Sequence, residues 1–113
     1  METFVLVVYS KPVEGKEKEY NDWYSEQHLS DVLKINGFKS AQRFKLTDEH
    51  IEAKWKYLAL YEFESTDPTN TLKELTARAG TSEMVISEAM DLSAYEISAW
   101  RSIKKIVLPK TQY

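Results

Sequence analysis

The sequence predicts an α+β fold in which two helices cover one face of a four-stranded antiparallel sheet. Three observations support this: four segments rich in β-branched and aromatic residues, two longer segments with helical periodicity, and turn residues at the junctions. The elements follow the order β-α-β-β-α-β, which is the ferredoxin-like arrangement. At 113 residues the chain has the length of one domain, and we expect residues 1–113 to form it.

The strands are predicted from residue type and period-two alternation. The first ends where Pro12 removes a backbone donor, and the polar stretch 47–53 predicts a long hairpin connection. Alternation predicts that Tyr57 and Tyr61 share a face, and that Phe38 shares one with Phe44. The four predicted strand segments are residues 3–10, 37–46, 56–65 and 93–103.

Two helices are predicted from apolar spacing and capping residues. The first, from residue 14 to about residue 33, carries Tyr20, Tyr24, His28 and Val32 at intervals of four, and Gly37 is a plausible terminator. The second lies within residues 65–80, where Asp67-Pro68 forms the entry turn, a Thr or Asn caps the helix and Gly80 ends it. A further short helix is expected through residues 81–90, TSEMVISEAM.

The third strand indicates that both faces of the sheet are apolar. Leu58 and Leu60 alternate there with Tyr57, Tyr61 and Phe63, so neither face is polar throughout. An apolar face needs cover, and a second copy of the chain is the simplest cover for the face without helices. We therefore expect a homodimer in which two sheets meet. The tail segment 106–108 could pair with an edge strand of the neighbour.

Composition narrows the class of protein. Fifteen Lys and Arg against eighteen Asp and Glu give a net charge of −3 without a basic face, which disfavours a nucleic-acid partner. The apolar run from Phe4 to Tyr9 is too short to span a membrane, so no membrane association is expected. The chain has no cysteine, which excludes disulfides and thiolate metal sites. We expect a cytoplasmic protein.

Residues 19–44 contain a recognisable motif. The pair Trp23-Tyr24 is followed by His28, then by Asp31 with Val32-Leu33, and Gly37-Phe38 leads into a strand that carries an arginine. This combination resembles the EthD-like branch of the dimeric α/β-barrel superfamily. The motif covers about a quarter of the chain, and the order of elements extends the resemblance to the whole chain.

The resemblance implies a homodimer with one pocket per subunit between the sheet and the helices. Members of the superfamily include polyketide cyclases, quinone-forming monooxygenases without a cofactor, dehydratases and haem-degrading enzymes. The site that it implies here holds a hydrophobic, aromatic or polyketide-like molecule. Fold alone does not choose among these activities.

His28 is the candidate for chemistry. On a regular helical wheel it falls inside the apolar stripe with Tyr20 and Tyr24, whereas Trp23 lies at the edge of the polar arc. If Asp31 holds one ring nitrogen, the other is oriented as a general base. If tyrosine fills the second nitrogen, His28 is a buried structural residue. Both alternatives stay open from the sequence.

The sequence thus gives one leading hypothesis and two alternatives. In the leading one His28, Asp31 and Tyr24 are catalytic, and the ligand contacts are Tyr20, Tyr61, Tyr9, Arg43 and Trp23. The step is a proton transfer serving cyclisation, dehydration, isomerisation or oxidation, with neither metal nor cofactor expected. The first alternative is a non-catalytic ligand-binding or stress-related accessory protein. The second is a haem-binding or haem-degrading enzyme with His28 as axial ligand.

Overall fold

The strands and helices follow one another in the predicted order. The computed structural model describes residues 1–111 and has one four-stranded antiparallel sheet with helices on one face. The predicted α+β, ferredoxin-like fold is confirmed. The elements are β1 (Glu2–Pro12), α1 (Glu17–Trp23), a π-helical turn (Tyr24–His28), α2 (Leu29–Leu33), β2 (Phe38–Lys45), β3 (Tyr57–Ser65), α3 (Pro68–Arg78) and β4 (Met90–Arg101).

Strand β1 lies inside the sheet, and the strand order is β2-β3-β1-β4. Leu6 pairs with Tyr61 of β3 on one side and with Ala99 of β4 on the other. Alternate residues of a strand point to opposite faces, so Leu6 and Val8 are buried beneath the helices. Tyr57 and Tyr61 share this buried face, as the alternation predicts.

A bulge in β2 changes the predicted grouping of its residues. The register shifts between Phe38 and Ser40, which places one extra residue in the strand. Phe38 is therefore buried beneath the helices, whereas Phe44 is 41% exposed on the opposite face. The prediction that these two phenylalanines share a face is wrong, because the bulge reverses the alternation between them.

The first helical segment starts later than expected and is interrupted. It begins at Glu17 rather than at residue 14, and residues Tyr24–His28 form a π turn in which the amide of Leu29 donates to the carbonyl of Tyr24. A π turn holds more residues than an α turn, so side chains beyond it depart from a regular wheel. The wheel still assigns Tyr20, Tyr24 and Val32 correctly to the buried side.

Helix α3 follows the Asp67-Pro68 signal, but its cap is Asp67 and not the predicted Thr or Asn, and no helix follows it through residues 81–90. Asp67 caps the helix by accepting from the amide of Asn70 at 3.2 Å, and Pro68 is the first helical residue. Beyond the helix, the Gly80 amide donates to the carbonyl of Met84 at 2.9 Å. This contact bends the chain back and buries Met84 fully, which is the reason that the predicted short helix is wrong.

The face of the sheet away from the helices carries partly exposed apolar side chains. Val5, Val7, Leu58 and Leu60 are only half-buried, and Trp100 is 63% exposed. The tail residues Ile103, Ile106, Val107 and Leu108 are exposed as well.

No helix within residues 1–111 is long and apolar enough to cross a membrane.

A matched pair of glycine variants tests the packing between the first helical segment and β3. Gly37 has φ +98°, and a Cβ there would overlap the carbonyl oxygen of Glu64, whereas Gly15 has φ +82° and open space around it. We expect Gly15→Ala to lower the free energy of unfolding by about 1–2 kcal/mol, the cost of a left-handed conformation. Gly37→Ala should lower it further, since the backbone of β3 must also shift.

The measurement is urea denaturation of both variants beside the unaltered protein. Equal losses at the two positions would mean that the close approach of Gly37 to Glu64 does not constrain the fold.

Candidate functional site

A cavity lies between the sheet and the helical segments. Its volume is about 370 Å³, within the usual range of small-molecule sites. Strand β1 forms its floor with Leu6 and Val8, and α3 forms one wall with Leu72 and Leu75. The remaining lining residues are Tyr24, His28, Val32, Tyr61, Thr76, Ala79, Met84, Ile86, Met90, Leu92, Tyr95 and Ile97. The lining is almost wholly apolar, and within residues 1–111 it contains no Asp, Glu, Lys or Arg.

The edge strand β4 supplies the exposed rim of this cavity. Leu92 is 64% exposed, and Tyr95 and Ile97 are each 49% exposed, although all three residues line the cavity. Helix α3 therefore covers the sheet only in part, and β4 borders the way in. A ligand would enter past these apolar side chains.

The π turn places His28 at the cavity between two aromatic rings. The His28 ring stacks on Trp23 at a centroid distance of 4.7 Å and meets Tyr24 edge-on at 4.9 Å. Tyr24 opens the turn and His28 ends it, so the turn fixes both side chains on one short segment. π turns occur frequently at functional sites.

Burial keeps His28 neutral. Loss of hydration lowers its pKa from 6.5 to about 4, and the negative charge of Asp31 offsets part of this shift. The ring is half-buried, and its Nδ1 is enclosed without a hydrogen-bond partner within residues 1–111. Buried polar atoms are nearly always paired, so an unpaired Nδ1 beside a cavity makes His28 a candidate binding residue.

Asp31 does not hold the His28 ring, and the predicted pairing is wrong. Its buried carboxylate accepts from Nε2 of Gln27 at 3.0 and 3.2 Å and from Nζ of Lys34 at 3.4 Å. These partners lie one helical turn to either side of Asp31: Gln27 belongs to the π turn and Lys34 follows α2. Asp31 therefore acts on His28 through its charge alone.

Tyr24 and Tyr61 both line the cavity beside His28. The Tyr61 hydroxyl donates to that of Tyr24 at 3.4 Å, which is a long hydrogen bond. Burial raises the pKa of Tyr24 to about 12 and that of Tyr61 well above 10. Both phenols are therefore uncharged O–H groups at neutral pH.

Tyr20 and Arg43, both predicted as ligand contacts, lie outside the lining of this cavity. Tyr20 is fully buried, with its hydroxyl 2.6 Å from Oγ of Ser10, and it does not line the cavity. The Arg43 guanidinium lies 4.6 Å from the centroid of the Tyr24 ring and donates to Oδ1 of Asn21 and Oγ of Ser25. These contacts hold its charge outside the apolar cavity.

Tyr9 and Trp23 do not line the cavity either. Tyr9, predicted as a ligand contact, alternates with the buried Val8 and Ser10 and therefore points to the opposite face, where it stacks on Trp55 at 6.1 Å. Trp23 contacts the ring of His28 and donates from Nε1 to the carbonyl of Val85 at 3.1 Å. It supports His28 from outside the lining.

Sequence reasoning did not assign several lining residues to the site. Leu72 and Leu75 have the helical spacing of a buried face, and Tyr95 and Ile97 alternate on a strand, so their orientation could have been read. Met84 lies in a segment without periodicity that folds back by the contact with Gly80. Its place in the cavity depends on tertiary structure.

Comparison with known proteins assigns the family. Residues 6–87 match the sequence profile of a domain of unknown function, DUF4286, and the matched range includes Tyr24, His28 and Tyr61. The chain belongs to the DUF4286 family. No curated protein matches it. The DUF4286 match ends before β4, so the rim of the cavity lies beyond the matched range.

Two solved structures share the fold of this DUF4286 member. A candidate monooxygenase from Shewanella loihica PV-4 superposes with a TM-score of 0.61 at 18% identity, covering 92% of this chain and 97% of its own. An ethyl tert-butyl ether D (EthD) family protein from Bacillus halodurans C-125 gives 0.59 at 15% identity, covering 91% and 100%. The predicted resemblance to the EthD-like branch is confirmed as a similarity of fold.

The pH dependence of stability tests the state of His28. Its folded pKa lies below its ordinary value, so between pH 6.5 and about 4 the unfolded chain binds a proton there that the folded chain does not. The contribution of the neutral His28 to the free energy of unfolding is therefore fully present above pH 6.5 and falls as the pH drops toward 4. We expect the stability advantage of the unaltered protein over His28→Leu to shrink by about 3 kcal/mol between pH 7 and pH 4.

The measurement is urea denaturation across that pH range. The control is His50→Leu, which changes the other histidine of the chain, exposed in the loop after β2. Parallel profiles for the unaltered protein and His28→Leu would show that His28 is solvated and not buried beside the cavity.

Proposed function

We propose that this protein binds a hydrophobic, aromatic or polyketide-like small molecule in the cavity beside His28. The observation that carries the proposal is the neutral His28 ring, with its buried Nδ1 unpaired, at an apolar cavity of about 370 Å³. A cavity with apolar walls and few polar groups is typical of small-molecule sites. The similarity in fold to a candidate monooxygenase and to an EthD family protein supports small-molecule binding or catalysis in general.

Acid–base chemistry at His28 is the catalytic form of this proposal. His28 would take a proton from an acidic carbon or hydroxyl of the ligand and return it to the product. Tyr24 and Tyr61 are uncharged O–H groups at the same cavity and would donate hydrogen bonds to a developing enolate or phenolate. That negative charge would raise the pKa of His28 from about 4 and make the ring a stronger base.

Non-catalytic ligand binding is the second candidate. The observation that favours it is the geometry of Asp31, which is bonded to Gln27 and Lys34 and does not orient the His28 ring. A base with a pKa of about 4 and no orienting partner is weak at neutral pH. In this case His28 would serve only to hydrogen-bond the ligand.

A cavity-filling variant tests whether a small molecule binds in this cavity, which the catalytic and the non-catalytic candidate both require. The probe is N-phenyl-1-naphthylamine, an uncharged dye that fluoresces in apolar surroundings. We expect Ala79→Phe, at a residue that lines the cavity, to weaken dye binding about tenfold or more. Ala77→Phe, at an exposed residue of α3 that does not line the cavity, should leave dye binding unchanged. Equal binding by both variants would place the dye outside the cavity and contradict the proposal.

The same proteins separate catalysis from binding. With 2-tetralone in deuterated water, the unaltered protein should speed exchange of the acidic C–H by about 100-fold over His28→Leu if His28 is a base. The proton leaves carbon for the ring nitrogen, and a deuteron returns to carbon. Binding of the ketone without faster exchange would support the non-catalytic candidate.

We further propose that the chain forms one domain and that two copies pair through the sheet face away from the helices. Val7 and Leu60 are cross-strand neighbours near the middle of that face, and with Leu58 and Trp100 they leave apolar surface in contact with water. A second copy would cover this surface with the same residues, as a two-fold dimer requires.

A charge in the centre of this face tests the dimer. We expect Val7→Asp to convert a two-chain sedimentation mass into a one-chain mass, because burying an unpaired carboxylate between two sheets is costly. Glu62→Gln, at an exposed position of β3 on the same face, should keep the two-chain mass. Circular dichroism confirms that each variant is folded. A one-chain mass for the unaltered protein at micromolar concentration would overturn the proposal.

A further inference from the structure

We infer that the cavity binds its ligand as an uncharged species whose hydroxyl group forms a hydrogen bond with the His28 ring. This inference rests on the proposed binding function and specifies its ligand. It follows from two independent observations: the charges around the cavity and the hydrogen-bonding state of the imidazole.

The first observation is that the cavity offers nothing to pair with an ionic ligand. Asp31 adjoins the lining residue Val32 but is bonded to Gln27 and Lys34, and Arg43 stacks on the lining residue Tyr24 but is bonded to Asn21 and Ser25. Neither belongs to the lining. A carboxylate or ammonium group would lose its hydration on entry without gaining a counter-charge, which is strongly unfavourable.

The second observation is that the His28 ring lines the cavity while its Nδ1 is buried and unpaired. Because Nδ1 is enclosed by protein, we assign Nε2 as the nitrogen that a molecule in the cavity would reach. A neutral imidazole presents Nε2 either as an acceptor or as an N–H donor, depending on its tautomer. A hydroxyl group can donate or accept, so it satisfies Nε2 in both cases, whereas a carbonyl satisfies only the N–H form.

The two observations together exclude the ionised form of an acidic ligand and favour a neutral phenol, enol or alcohol on an apolar frame. A phenol entering the cavity would keep its proton, because transfer to His28 would create an ion pair in apolar surroundings. The ground state of the complex would therefore hold two neutral partners, and any proton transfer would come later in the reaction.

The test uses 4-nitro-1-naphthol, which is coloured only when ionised, and its methyl ether, 1-methoxy-4-nitronaphthalene. With the unaltered protein in excess, we expect the colour to fade at a pH where the free naphthol is ionised, since binding of the neutral form raises the ligand's own pKa. A tenfold preference for the neutral form corresponds to about one pH unit in the titration of the bound naphthol. Calorimetry measures the affinity of each compound.

Variants then assign the hydrogen bond. His28→Leu should lower the affinity for the naphthol to about that for its methyl ether, and the affinity for the ether should change little. His50→Leu, in an exposed loop, should behave as the unaltered protein. An unchanged affinity of His28→Leu for the naphthol would overturn the assignment of the hydroxyl to His28.

The outcomes separate this inference from the proposed function. Binding of the naphthol with its colour retained would mean that the anion is bound, which overturns the inference and leaves the ligand-binding function standing. Failure of the unaltered protein to bind the naphthol, its ether and N-phenyl-1-naphthylamine would overturn the proposed function and the inference with it.

Discussion

The pairing of β1 with strands on both of its sides is the constraint on which the site depends. Because β3 and β4 fix its register, every second residue of β1 must face the helices. Leu6 and Val8 thereby form the floor of the cavity, and Val5 and Val7 are directed to the opposite face. A shift of one residue would exchange the two sets and remove both the cavity floor and the apolar outer face.

Features that depend on alternation or spacing could be predicted from the sequence, and features created by one extra residue could not. Alternation placed Tyr57 and Tyr61 on one buried face, and Asp67-Pro68 marked the start of α3. The bulge near Phe38 and the π turn each add a residue to a hydrogen-bonding pattern. Tertiary packing decides where such residues are accommodated, and no local sequence signal indicated the bulge or the π turn.

In the site, too, some features could be predicted from spacing and others could not. The aromatic and histidine stripe indicated the side of the helix from which Tyr24 and His28 line the cavity, because apolar spacing reports which side of a helix is buried. It could not indicate hydrogen-bond partners: Asp31 had Gln27 and Lys34 within one turn as well as His28, and the wheel alone did not rank them. Arg43 was chosen by residue type and Tyr20 by its place in the apolar stripe, and their positions follow from contacts with Asn21 and Ser10.

The π turn has a consequence for how this site could arise or be lost. A helix acquires such a turn when it gains a single residue without breaking, and the segments before and after it here keep helical backbone angles. Loss of one codon between Tyr24 and His28 would restore a regular helix and rotate every preceding side chain by about 100° relative to His28. The rings of Trp23 and Tyr24 would then no longer enclose the imidazole, so the presence of the site is sensitive to a change that leaves the fold itself intact.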